Sequence, residues 1–111
     1  MVEAVCNCGA VRIEVEAPEY VFDCRCSVCQ KFGVLWAYYH PAKVRIIAEP
    51  GATEVYMRGR RGLEFHSCKV CACQTHWAPV DPAGWKMGVN ARLMPPQVLA
   101  AARREFGDGP D

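Results

Sequence analysis

Three clusters of cysteine are the residues in this chain whose type and spacing could do chemistry. Cys6 and Cys8 lie in a C-x-C-G run, Cys24, Cys26 and Cys29 in C-x-C-x-x-C, and Cys68, Cys71 and Cys73 in C-x-x-C-x-C. A disulfide needs Cα atoms several ångströms apart and converging Cβ directions, which cysteines two positions apart seldom achieve. No cationic and apolar leader follows Met1, so an oxidising compartment is not indicated and a cytoplasmic location is expected. Two thiolates at i and i+2, or at i and i+3 in a tight turn, can instead face one tetrahedral metal. Soft sulfur donors favour zinc, and the iron–sulfur alternative uses other spacings.

The clusters divide unevenly. Cys6 and Cys8 with Cys68 and Cys71 supply two ligands each from opposite ends of the chain, which makes a closed four-sulfur site whose binding energy goes into folding. Cys24, Cys26 and Cys29 lie within six residues and offer three ligands, leaving a fourth position for water or substrate. Cys73 stays open between three readings: a fourth ligand that closes the middle site, a free thiol beside it, or a group that exchanges with substrate.

The elements that must position these clusters are mostly strands. Residues 11–16 alternate strictly, with Val11, Ile13 and Val15 on one face and Arg12, Glu14 and Glu16 on the other. Further strands are expected at 34–40, 43–48, 53–58, 63–67, 74–80 and 85–90, bounded by turn signals at Pro50 and Gly51, Gly59 to Gly62, and Asp81 to Gly84. Ser27 is placed to cap a short helical turn through Lys31 that stops at Gly33. A Pro-started, alanine-rich helix is expected over 96–106, ended by Gly107. The fold class is therefore mainly β: a small zinc-containing sandwich or half-barrel of short antiparallel strands with a C-terminal helix, one domain over 1–111.

Composition limits the partners. The 111 residues are 51% hydrophobic and 23% charged, with a formal net charge of +1. That balance holds no basic field for nucleic acid or an anionic membrane, and counting ligand cysteines as thiolates turns it acidic. The longest apolar run, Val34 to Tyr39, is far too short to span a bilayer.

The ordered motifs CNCGAVRIEVE, DCRCSVCQKFG, FHSCKVCACQTHW and KMGVNAR resemble the glutathione-dependent formaldehyde-activating family, also called the CENP-V/GFA domain. The resemblance covers essentially the whole chain. It implies a β-rich fold with two zinc ions, the structural one on Cys6, Cys8, Cys68 and Cys71 and the catalytic one on Cys24, Cys26 and Cys29. It also implies carbon–sulfur lyase chemistry that joins glutathione to formaldehyde. Two positions depart from the family pattern: Arg25 stands where a histidine is common, and Ala72 and Cys73 follow Cys71 where C-G-T is common.

Arg25, Lys31, Arg58, Arg60 and Arg61 are candidates to hold the carboxylates of a glutathione-like thiol, although the three later arginines read more readily as a solvated turn. Trp36, Tyr38 and Tyr39 could wall a pocket or simply fill the core. His66 and His76 flank the third cluster as metal or acid–base candidates, or as hydrogen-bonding neighbours of the site. His40 reads as a strand-end residue. Asn90 and Arg92 read as pocket polar groups or strand-end hydrogen bonders. The competing classes are a module in which both metals are structural, and a thiol-redox or metal-buffering protein.

Overall fold

A computed structural model describes residues 1–59 and 61–107, so Arg60, one of the candidate cations, lies outside the described residues. Two sheets form the fold. The smaller joins Val2–Val5 (β1), Arg12–Val15 (β2) and Arg45–Ile47 (β5), all antiparallel, with Ala4 opposite Ile13 and Ile13 opposite Ile46. The larger has seven strands. Its order is Arg103–Gly107 (β10), Tyr20–Cys24 (β3), Trp36–Tyr39 (β4), Met87–Asn90 (β9), Gln74–Pro79 (β8), Leu63–Cys68 (β7) and Thr53–Tyr56 (β6).

Strand alternation sorts the larger sheet's side chains into two populations. Val21, Ala37 and Val89 point one way and pack with Ala4, Val11, Ile13 and Val15 of the smaller sheet. Phe22, Trp36, Tyr38, Phe65 and Trp77 form the opposite face. That second face is covered by a short helix, Ser27–Phe32 (α1), through Val28 and Phe32. The first and third cysteine clusters meet on one face and the middle cluster lies on the other: Cys6 and Cys68 sit in the first core, Cys24 and Cys29 in the second.

The main strands fall where alternation and turn residues place them, trimmed by a residue or two. Local pattern missed β1 and β3, because each is a short run leading into a cysteine cluster. Cys24 itself is the last residue of β3. The helix expected over 96–106 is a correction. Pro96–Ala101 (α2) is helical, but Ala102 is extended and 103–107 form β10, parallel to β3. Helix propensity is a weak preference, and the open edge of β3 outweighs it by supplying a full ladder of backbone partners. The Arg103 N–H donates to the Glu19 carbonyl at 2.9 Å, and the Arg25 N–H donates to the Gly107 carbonyl at 2.7 Å. β10 is also the exception to the expected antiparallel pairing. Ser27 does not cap α1: Cys26 holds the N-cap position with no side-chain cap bond, and the helix runs to Phe32. Gly33 ends it in the left-handed region at φ 71°, as its sequence position suggests.

Candidate functional site

Cys6 and Cys8 are held by a tight turn after β1. The Gly9 N–H donates to the Cys6 carbonyl at 3.0 Å, the Cys6 N–H donates to Val11 at 3.1 Å, and Gly9 adopts φ 83°. Cys68 ends β7, just past a bulge between His66 and Ser67. A second turn follows, in which the Ala72 N–H donates to the Cys68 carbonyl and the Cys68 N–H to the Cys73 carbonyl, both at 2.9 Å. These two turns meet. The Cys8 Sγ is 3.5 Å from the Cys68 Sγ and 3.7 Å from the Cys6 Sγ, and all four sulfurs of Cys6, Cys8, Cys68 and Cys71 lie within 4.8 Å of one another. A tetrahedral centre with metal–sulfur bonds of about 2.3 Å needs sulfurs about 3.8 Å apart, so this donor set fits a zinc-like ion. The Val11 N–H points at the Cys6 Sγ from 3.3 Å. Backbone N–H groups of Cys73 and Cys8 pull Cys71 down to about 5, which favours the thiolate a metal requires.

The other group is built by one short stretch: Cys24 at the end of β3, Cys26 at the N-cap of α1, and Cys29 within α1. Their three sulfurs also lie within 4.8 Å of one another. Burial raises Cys29. At Cys26 burial is outweighed by the N–H groups of Cys29 and Val28 and by the neighbouring sulfurs, and its pKa falls. The Trp36 indole Nε1–H donates to the Cys29 Sγ at 3.4 Å. The Gln30 side-chain amide donates to the Arg25 carbonyl and ties the helix to the strand before it.

Aromatic rings surround this second group. Tyr38 lies 5.9 Å from Phe22 and 6.2 Å from Trp77, and Phe65 packs against both Trp36 and Phe32. Tyr38 is pushed up by burial and by the charge of Cys24, Cys29 and Cys26, so its hydroxyl keeps its proton. The Lys86 ammonium sits 4.0 Å from the Tyr38 ring centroid. Beside α1 an open groove of about 300 Å³ is lined by Ser27, Val28, Lys31, Phe32, Tyr56 and Arg58.

The remaining candidates separate by face. Cys73 does not close the middle group: its neighbours are Cys71, Cys6 and the Asn7 N–H, at the four-sulfur end. His66 and His76 belong to neither group. They are a cross-strand pair between β7 and β8, stacked at 4.3 Å. His66 Nδ1 shares a 2.8 Å hydrogen bond with Thr53 Oγ1, and His76 Nδ1 shares one with Thr75 Oγ1. Burial lowers His76 to about 3, so it is neutral. His40 accepts from the Ala42 N–H at the start of a 3-10 turn over Pro41–Lys43.

Asn90 is a strand-end bonder. Its Oδ1 accepts from the Arg92 N–H and its Nδ2 donates to the Gln74 carbonyl. Tyr39 turns away from the aromatic face and donates to the Glu16 carbonyl. Arg25 lies over Phe106 and pairs with Asp23 at 3.5 Å, while Lys31 lines the groove. Arg61 points to the Met57 sulfur. Sequence reasoning missed the Trp36 bond to Cys29 and the part played by Phe22, Phe65 and Trp77, because cross-strand register is not written in local spacing.

Residues 1–103 match the family described as glutathione-dependent formaldehyde-activating enzyme. Among solved structures, the chain is similar to a Rhodobacter sphaeroides protein at 27% identity and a TM-score of 0.75, over 92% of this chain and 98% of that one. Among the described residues no helix is long and apolar enough to cross a membrane.

Proposed function

The chain belongs to the glutathione-dependent formaldehyde-activating enzyme family, and from that premise we propose a zinc-dependent enzyme of the carbon–sulfur lyase type, joining a glutathione-like thiol to a small aldehyde. Cys6, Cys8, Cys68 and Cys71 would hold a structural zinc, and Cys24, Cys26 and Cys29 a second zinc with one position open. The observation that carries this reading is the difference in donor number between the two faces: four sulfurs on one, three on the other, with Cys73 beside the four. That placement supports this reading over a module in which Cys73 closes the second site.

In the reaction the thiol sulfur attacks the carbonyl carbon. A carbon–sulfur bond forms, the carbonyl π pair moves to oxygen, and the thiol proton ends on that oxygen. Held by Cys24, Cys26 and Cys29, a zinc ion would supply Lewis acidity toward the negative charge that passes from sulfur to oxygen. The chain's own residues do the rest. Lys31 offers an ammonium to a substrate carboxylate in the groove, with Arg58 on the same lining. Arg25 is engaged with Asp23 through Nε and lies over Phe106. The Tyr38 hydroxyl, held neutral, can donate a hydrogen bond to developing negative charge. Cysteines held as metal-binding thiolates suit a reducing compartment such as the cytoplasm.

The test is exchange spectroscopy of glutathione, formaldehyde and their hydroxymethyl adduct, with metal content measured on the same samples. Wild type should carry two zinc ions and accelerate exchange, and Cys29→Ser should retain one zinc and lose the acceleration. Equal exchange rates in the two proteins would sink the assignment.

A further inference from the structure

Both cysteine groups take hydrogen bonds from backbone N–H groups, and the three-sulfur group takes a further one from a side chain. At the four-sulfur group the donor to Cys6 is the Val11 backbone N–H, which nearly every substitution leaves in place. At the three-sulfur group backbone N–H groups serve Cys24 and Cys26, and a side chain serves Cys29. Gly33 reverses the chain in the left-handed conformation after α1, so β4 runs back beneath the helix and brings Trp36 under Cys29. Trp36 is 1% exposed, in register with Phe22 and Asn90. An indole N–H can only donate, and a buried one is costly to leave without an acceptor. The acceptor here is the Cys29 sulfur, at 3.4 Å.

We propose that Trp36 is a positioning residue for the middle metal: its N–H fixes the Cys29 sulfur and draws charge from it, setting how tightly that sulfur group holds its ion. The inference rests on the reading that Cys24, Cys26 and Cys29 bind a metal. Three thiolates outweigh a divalent ion, so an N–H donor both relieves the excess negative charge and leaves the ion more electron-poor toward an incoming ligand. Because the donor is a side chain, one substitution can remove it while a ring still fills the space.

The test uses the full chain loaded with cadmium-113, which reports each site as its own resonance. In wild type the Trp36 indole proton should show scalar coupling to the cadmium of the three-sulfur site, and the indole protons of Trp77 and Trp85 should show none. Trp36→Phe should move that resonance, lower the site's affinity in chelator competition by about 10- to 100-fold, and leave the four-sulfur resonance in place. A missing second resonance overturns this inference together with the two-metal reading. A second resonance with no coupling to Trp36, or one that Trp36→Phe leaves unmoved and equally tight, overturns the role of Trp36 alone. The wild-type coupling decides the matter even where the Phe variant folds poorly.

Discussion

Ala72 occupies a backbone conformation that suits glycine, and replacing it should stabilise the protein. Its φ is 66°, in the turn that carries Cys68 and Cys71, and its N–H donates to the Cys68 carbonyl at 2.9 Å. A Cβ in the left-handed region crowds the following carbonyl at a cost of about 1–2 kcal/mol. Glycine removes that cost but loses about 0.4–1 kcal/mol through the greater freedom of its unfolded chain. The difference leaves Ala72→Gly more stable by about 0.5–1 kcal/mol, or a few degrees of melting temperature for a domain of this size. The measurement is denaturant unfolding at a fixed excess of zinc, because metal binding otherwise shifts the transition. Arg61, the other non-glycine residue at positive φ (57°) among the described residues, is the control. Arg61→Gly should stabilise by a similar amount, but only Ala72→Gly should slow release of zinc from the four-sulfur site. An Ala72→Gly protein that is no more stable and releases zinc as fast as wild type would refute the argument from turn geometry.

Three other outcomes follow from the same structure. A Cβ at Gly88 would stand 2.2 Å from the Trp77 Nε1, so Gly88→Ala must displace Trp77 and should cost about 1–3 kcal/mol, read by thermal unfolding and by a change in tryptophan fluorescence. Cys73→Ser should keep both metal equivalents and Cys68→Ser should lose one, measured by elemental analysis after dialysis; loss of metal in Cys73→Ser would place that thiol among the ligands. His76 has a folded pKa of about 3 against 6.5 for the free side chain, so only the unfolded chain takes up its proton between those values. Its contribution is complete above about pH 6.5 and shrinks as pH falls toward 3, by at most about 1.4 kcal/mol per unit. His76→Gln should flatten the stability profile between pH 5 and 6.5, and an unchanged slope would show that other groups carry it.

Separating the two cysteine groups by a β-sheet has a physical consequence. The four-sulfur group joins two turns sixty residues apart, Cys8 to Cys68, and so ties the smaller sheet to the larger. The three-sulfur group comes from one strand end and one helix turn, and closes no long loop. Losing the first should therefore loosen the whole fold, while losing the second should leave the sheets paired. On the proposed reading, one group would carry stability while the other would keep room for chemistry.

Much of this was legible in the sequence because it is local. Thiol identity and the i, i+2 and i, i+3 spacings determine which cysteines can share an ion, and they separate Cys24, Cys26 and Cys29 from the outer clusters. Alternation in 11–16 determines that Val11, Ile13 and Val15 enter one core, and Gly33 determines where α1 stops. The rest depends on register between strands distant in sequence. Residues 103–106 read as helix until the free edge of β3 offers 103–107 a parallel ladder. Cys73 lies five residues past Cys68 in either reading, and only the bulge and turn after β7 decide that it faces Cys71 and Cys6. Trp36 and Ala37 are adjacent, yet strand alternation sends one to the Cys29 sulfur and the other to the core between the sheets. A chain can state which residues are able to bind, but which face each one occupies is settled by hydrogen-bond pairing across the sheet.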